Sequence, residues 1–93
     1  MIRSWANAAT RRFAESGNAR TFPGLDVDRA IRRIAELHAV SSLDQISPLK
    51  SVGLHKLKGD RRDQWAMTIN GRWRPCFTFA DGDAHDVEIA DYH

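Results

Sequence analysis

The chain of 93 residues has little of what braces small domains covalently or ties them to membranes: one cysteine, Cys76, and no long apolar run. A single thiol excludes an intramolecular disulfide and a cysteine-based zinc site. It suits a reducing compartment, so the expected location is the cytoplasm. The segment Met1 to Phe13 is interrupted by Arg3, Asn7, Arg11 and Arg12. It offers neither the apolar centre of an export signal nor the roughly 20 apolar residues of a membrane span. A protein neither exported nor membrane-embedded is the expectation. No repeat, low-complexity tract or long linker breaks the chain. Separate cores need roughly 100 residues each, so residues 1–93 are expected to form a single domain.

What is present is a core-forming composition and a segregated charge. Hydrophobic residues make up 42% of the chain and charged ones 28%, with Trp5, Trp65, Trp73 and four phenylalanines, which is enough apolar area to escape disorder. The formal net charge of +2 conceals an uneven distribution. Between Lys50 and Arg74, seven basic residues (Lys50, Lys56, Lys58, Arg61, Arg62, Arg72, Arg74) face two acidic ones (Asp60, Asp63). From Pro75 onward there are five acidic residues (Asp81, Asp83, Asp86, Glu88, Asp91) and no lysine or arginine. This pattern predicts one surface that attracts polyanions with carboxylates held beside it.

The first half reads as helical. Met1 to Arg3 fits a short edge strand, followed by a helix over about Asn7 to Glu15 that Ser16-Gly17-Asn18 stops. After Pro23-Gly24, Asp26 caps a second helix. Its apolar face carries Val27, Ala30, Ile31, Ile34, Leu37 and His38, and its polar face Asp28, Arg29, Arg32, Arg33 and Glu36. Ser41 to Gly53 is a loop from which Leu43, Ile46 and Leu49 enter the core.

The second half reads as strands: Leu54 to Leu57, Gln64 to Ile69, Trp73 to Phe79 and Ala84 to Tyr92, with Asn70-Gly71 and Asp81-Gly82 at turns. A two-residue Asn70-Gly71 turn would put Arg72, Arg74 and Cys76 on the face of Trp65, Met67 and Ile69. A three-residue turn that includes Arg72 pairs Ile69 with Trp73, Met67 with Pro75 and Trp65 with Phe77, making one apolar face and leaving Arg74 on the other. Pro75, with no N–H, points to an edge or irregular position. The expected architecture is α+β: two helices packed on one face of a small, mostly antiparallel sheet, the other face open for function.

Three groups of residues could carry chemistry. Leu54-His55-Lys56-Leu57-Lys58-Gly59-Asp60-Arg61-Arg62 combines a histidine with four cations. Such a run either neutralises phosphates beside a proton carrier or solubilises a sheet edge. In Trp73-Arg74-Pro75-Cys76-Phe77, Arg74 either grips a phosphate or stacks on tryptophan, while Cys76 suits a small buried apolar position. Asp91-Tyr92-His93 is either a frayed tail or an acid-base group anchored by the alternating Val87 and Ile89. A metal held by Asp91 and His93 with His85 or His38 lacks any recognised ligand spacing, so neither metal nor other cofactor is expected. Taken together, these residues are the ingredients of metal-independent RNA cleavage. A base takes the proton of the ribose 2′-hydroxyl, cations stabilise the phosphorane-like transition state, and an acid protonates the leaving 5′-oxygen.

Leu57-Lys58-Gly59-Asp60-Arg61, Gln64-Trp65, the stretch Asn70 to Phe77 with Trp73-Arg74, and Asp86-Val87-Glu88-Ile89 ending in Asp91-Tyr92-His93 closely resemble the HigB toxins of the RelE/ParE superfamily. Met1-Ile2-Arg3-Ser4 and the Asp26 to Leu37 helix also fit, so the resemblance spans nearly the whole chain. It implies a ribosome-dependent mRNA endonuclease cutting in the A site, neutralised by a HigA-type helix-turn-helix antitoxin, with operator DNA contacted only through that antitoxin and no membrane partner. Carried over by residue, His55 and Lys58 match the family's histidine and lysine, Arg74 its Trp-Arg arginine, and Asp91, Tyr92 and His93 its terminal triplet. The resemblance then gives Lys58 and Arg74 the phosphate, His55 and His93 proton transfer or substrate positioning, Asp91 the orienting of a neighbour, and Tyr92 stacking on a base. It leaves open which group is acid and which base. Lys56, Arg61, Arg62 and Arg72 are expected to contact RNA, Lys56 standing where relatives often have an uncharged residue. The superfamily also includes gyrase inhibitors, which would not need the terminal Asp-Tyr-His, and members of little toxicity. The alternative is therefore a catalytically weak module acting through antitoxin binding and operator autoregulation.

Overall fold

The computed structural model describes residues 1–46 and 52–91. Lys50, Leu49, Tyr92 and His93 lie outside the described residues. Helix α1 spans Ala8–Ser16: the Asn7 side chain accepts the Thr10 N–H at 2.8 Å, and Gly17, at φ 74°, closes the end by donating to Phe13 O at 2.7 Å. Helix α2 spans Val27–Ala39 and starts where Asp26 Oδ1 accepts the Arg29 N–H at 3.1 Å. Both ends agree with the sequence-based expectation to within a residue or two. A short 3-10 turn at Leu43–Gln45 follows, capped by Ser42, and buries Ile46 while Leu43 packs against the core.

The buried face of α2 differs from the expected one. Ala30, Arg33 and Leu37 are buried, whereas Ile31 is 48% exposed and His38 is exposed. Arg33 is accommodated because its Nε donates to Thr68 O at 3.0 Å and its Nη1 to Glu36 Oε1 at 2.6 Å. A buried guanidinium with fixed acceptors avoids the cost that polarity alone would predict.

Among the described residues four antiparallel strands follow in the order β1-β2-β3-β4: β1 His55–Lys56, β2 Trp65–Ala66, β3 Trp73–Ala80 and β4 Asp83–Asp91. The register is the one that the three-residue turn requires: Trp65 pairs with Phe77, Met67 N donates to Pro75 O at 3.1 Å, and Ile69 N to Trp73 O at 3.2 Å. Strands β1 and β2 are much shorter than the alternation suggests. Pro75 is not at an edge: it lies in the interior strand, opposite Ile89. Its carbonyl serves Met67, but it has no N–H to return, so the reciprocal β2–β3 pairing stops at Ala66 and Cys76.

Along the outer side of β4 runs the N-terminal segment, bridged in parallel at Ile2 with Ala84 and at Trp5 with Val87. It forms two isolated bridges in place of the expected edge strand. A bulge between Cys76 and Thr78 gives β4 an extra residue, with Asp86 at φ 53°. There the Asp86 N–H donates to Ser4 Oγ at 2.9 Å. The helices cover one sheet face. Phe13, Phe22 and Ala30 pack with Ile69, Trp73 and Ile89, and Leu37 and Ile46 with Met67, Phe77 and Val87. Phe77 is fully buried, and truncating such a side chain costs about 3–5 kcal/mol.

Candidate active site

Successive strand residues face opposite ways, so the register decides what the uncovered face displays. Cross-strand pairing aligns His55, Ala66, Cys76 and Glu88 in one row, and sets Arg74 beside Ala90 in the next. Leu57, Ala66, Cys76 and Ala90 form a small buried cluster that no helix residue joins. The result is a floor of short apolar side chains with charged groups around it.

His55 stands exposed on β1, with Nδ1 2.9 Å from Gly53 O. A carbonyl can only accept, so Nδ1 carries the hydrogen and neutral His55 keeps Nε2 as a free proton acceptor. Arg74 is half-buried on β3 and its Nη1 donates to Gly71 O at 2.7 Å and Trp73 O at 2.9 Å. This anchors the guanidinium to the hairpin turn and leaves Nε and Nη2 for a ligand. Lys58 is exposed at the start of the turn Gly59–Arg61. Arg61, at the end of that turn, is half-buried, donating from Nη1 to Gln64 Oε1 at 3.0 Å and pairing with Glu88 Oε1 at 3.5 Å. Arg62 is exposed beside it.

Other sequence-named residues lie elsewhere. Lys56 is paired with Trp65, on the helix side by alternation, with Nζ 5.8 Å from that ring's centroid. Arg72 stacks on Trp73 at 5.0 Å and its Nε lies 3.5 Å from Asp91 Oδ2. Asp91 stands opposite Trp73, at the end of β4, and so alternates away from Arg74's face. The structure thus gathers His55, Arg74 and Arg61 on one face, leaves Lys58 and Arg62 exposed at the two ends of the Gly59–Arg61 turn, and puts Lys56, Arg72 and Asp91 to the other side or end of that face.

Two members of the site were not singled out by the sequence. Glu88 is one, a carboxylate in the row of His55. Cys76, expected only as a buried apolar residue, is 1% exposed and is also the floor between the charges. Burial is the main cause that pushes its thiol pKa up; Glu88 adds to this, while Arg61 and Arg74 oppose it. Strand alternation around the register carries this information, but only once the turn at Asn70 is fixed.

Among the described residues no group of three or more His, Cys, Asp or Glu gathers as a metal site, and no helix is long and apolar enough to cross a membrane. An apolar groove of about 310 Å³ lies on the helical side, lined by residues that include Trp5, Phe13, Ile31, Ile34 and His38, and contains none of the charged groups above.

The chain is 32% identical to the endoribonuclease HigB of Proteus vulgaris over 93 residues, the full length of both. No family model matches it. Its fold is similar to that of a chain in the YoeB-YefM complex from Staphylococcus aureus, with a TM-score of 0.54 and 16% identity, covering 100% of this chain and 98% of that one. A crystal structure of the heterotetrameric YoeB-YefM toxin-antitoxin complex from the same organism gives the same values.

Proposed function

Because the chain belongs to the HigB family of RelE/ParE-type toxins, we propose that it is the toxin of a type II toxin-antitoxin system and an endoribonuclease that cuts mRNA in the ribosomal A site. Residues 1–93 act as one toxin domain in the cytoplasm. The observation that carries this is the arrangement of the uncovered face: a histidine with Nε2 available on β1, and two arginines anchored by Nη1 around a floor of small side chains.

On this reading the strand's phosphate sits against Arg74 and Arg61, with Lys58 and Arg62 extending the contact. A base removes the 2′-hydroxyl proton, the 2′-oxygen attacks phosphorus, and the 5′-oxygen leaves with a proton from an acid. The products are a 2′,3′-cyclic phosphate and a 5′-hydroxyl, with no metal or other cofactor in the scheme. His55 is suited to one proton transfer, and His93 takes the complementary one by its match to the family motif. Asp91 orients a neighbour and Tyr92 stacks on a base by the same match, while Lys56 and Arg72 give outer RNA contacts. The guanidinium charges balance the extra charge of the phosphorane-like state. The ribosome supplies the alignment that so small a site lacks. A HigA-type helix-turn-helix antitoxin is the neutralising partner and brings the complex to operator DNA.

Incubating the purified protein with programmed ribosomes or with the same mRNA alone, then mapping 5′ ends, tests this. Cuts confined to A-site positions on ribosomes support it; efficient cutting of free mRNA removes the ribosome dependence. Antitoxin binding without cutting in either case would make the chain a binding module.

A further inference from the structure

The acidic end of the chain is largely accounted for by pairing with the rest of the fold. Asp83 meets Arg3 and the terminal ammonium, Asp86 meets Ser4, and Asp91 meets Arg72. Glu88 reaches instead into the open face. Its partner Arg61 comes from the connection between β1 and β2, so the pair spans the inner strands from one side of the sheet to the other, at 3.5 Å. Glu88 stands directly opposite Cys76, and Arg74 lies one row away on the same face.

The two arginines are held alike. Each uses Nη1 on fixed acceptors, Gly71 O and Trp73 O for Arg74, Gln64 Oε1 and Glu88 Oε1 for Arg61. In each this leaves the Nε and Nη2 edge, the fork that matches a phosphate. Two guanidinia brought toward one spot repel each other, and a carboxylate beside them offsets that repulsion before any substrate arrives. An anchored arginine also has less side-chain freedom left to lose on binding.

Resting on the ribonuclease reading above, we propose that Glu88 is a positioning residue: with Gln64 it fixes Arg61 over Cys76, so that Arg61 and Arg74 present their free edges to one phosphodiester. Glu88 touches no reacting atom in this arrangement; it acts through Arg61.

The test compares the wild-type chain with Glu88→Gln, Glu88→Asp, Arg61→Gln and the Glu88→Gln/Arg61→Gln double variant. Nitrogen-15 spectra of the arginine side chains read the anchoring directly. Arg61 should be ordered in the wild type and measurably more mobile in Glu88→Gln, where Gln64 remains its one anchor at full strength, with the melting temperature unchanged. In the cleavage assay on programmed ribosomes, Glu88→Gln should raise KM about 3- to 10-fold, the scale of a half-exposed charge pair, with kcat and the pH profile kept. Glu88→Asp should restore part of the loss, and Glu88→Gln should cost nothing further once Arg61 is replaced. An Arg61 equally ordered in Glu88→Gln overturns the proposal whether or not RNA is cut. So does loss of the acid limb of the pH profile in Glu88→Gln, which would make Glu88 the proton acceptor, and so do additive effects in the double variant. A wild-type chain that cuts no RNA removes the ribonuclease reading, and the role of Glu88 with it, while the spectra still report whether the pair anchors Arg61.

Discussion

Nδ1 of His55 and the carbonyl oxygen of Gly53 lie 2.9 Å apart, so a backbone group two residues upstream sets the tautomer of the exposed imidazole. The acceptor is itself constrained. Gly53 has φ 62°, and a Cβ built on it would stand 2.5 Å from Thr68 Oγ1. Gly53→Ala must shift Thr68 or turn the carbonyl, and adds the strain of a left-handed alanine, about 1–3 kcal/mol. Cleavage should fall together with urea stability. In His55→Ala, by contrast, stability should be kept while the rate drops about 10²- to 10⁴-fold, as for loss of a positioned proton carrier. Parallel rate and unfolding measurements separate the two.

Arg74→Ala removes a cation anchored to the hairpin turn at the open face. Loss of one such transition-state donor costs about 10²- to 10³-fold, enough to abolish growth arrest on induced expression. His93→Ala should do the same by its match to the family motif. Both proteins should still fold and still bind antitoxin; full toxicity in both would sink the site assignment.

Arg33 is a test of stability alone. Its side chain is 5% exposed and serves Thr68 O and Glu36. Arg33→Ala leaves the Thr68 carbonyl unpaired and opens space beneath α2, at a cost of about 2–4 kcal/mol. Urea unfolding should show the loss, and Arg32→Ala, on the exposed side of the same helix, should show almost none.

Asp83 gives the acid limb of stability a local source. The hydrogen bond from Arg3, aided by the terminal ammonium, holds its carboxyl below the ordinary aspartate value. A carboxyl lowered in the folded state stabilises the fold above the unfolded value of about 3.9 and loses that contribution as pH falls through the folded one. Asp83→Asn should therefore be less stable than the parent at neutral pH, the gap closing toward pH 3. Urea midpoints against pH would reveal a gap that stays constant instead, which would deny the pairing any role.

How far the fold could be read in advance depends on which residues carry local information. Asn7, Gly17 and Asp26 act through nearby backbone groups, so both helix ends were legible. The Asn70 turn was legible because only one register makes a single apolar face. The inner face of α2 was not, since Arg33 is buried by acceptors more than thirty residues away in Thr68, a pairing that helical periodicity does not see. Pro75 suggested an edge or an irregular position; its strand is interior, and the irregularity falls in the pairing with β2, because sequence shows a missing donor but not which neighbouring strand meets it. In the candidate site, His55, Lys58 and Arg74 stood out by type and motif. Glu88 did not, because an acidic residue in an acidic run gains meaning only from the cation it meets.

Pro75 has a further consequence, in the hierarchy of local opening. With β2 cut to two residues, the lip formed by β1 and its turn hangs from few main-chain bonds, whereas β3 and β4 are paired along most of their length. Weakly tethered segments open at lower free energy than the cores they border. The amides of this lip should exchange with solvent well before those of β3 and β4. His55 therefore rides on the part of the sheet that breathes most easily, and Arg74 on the part that breathes least.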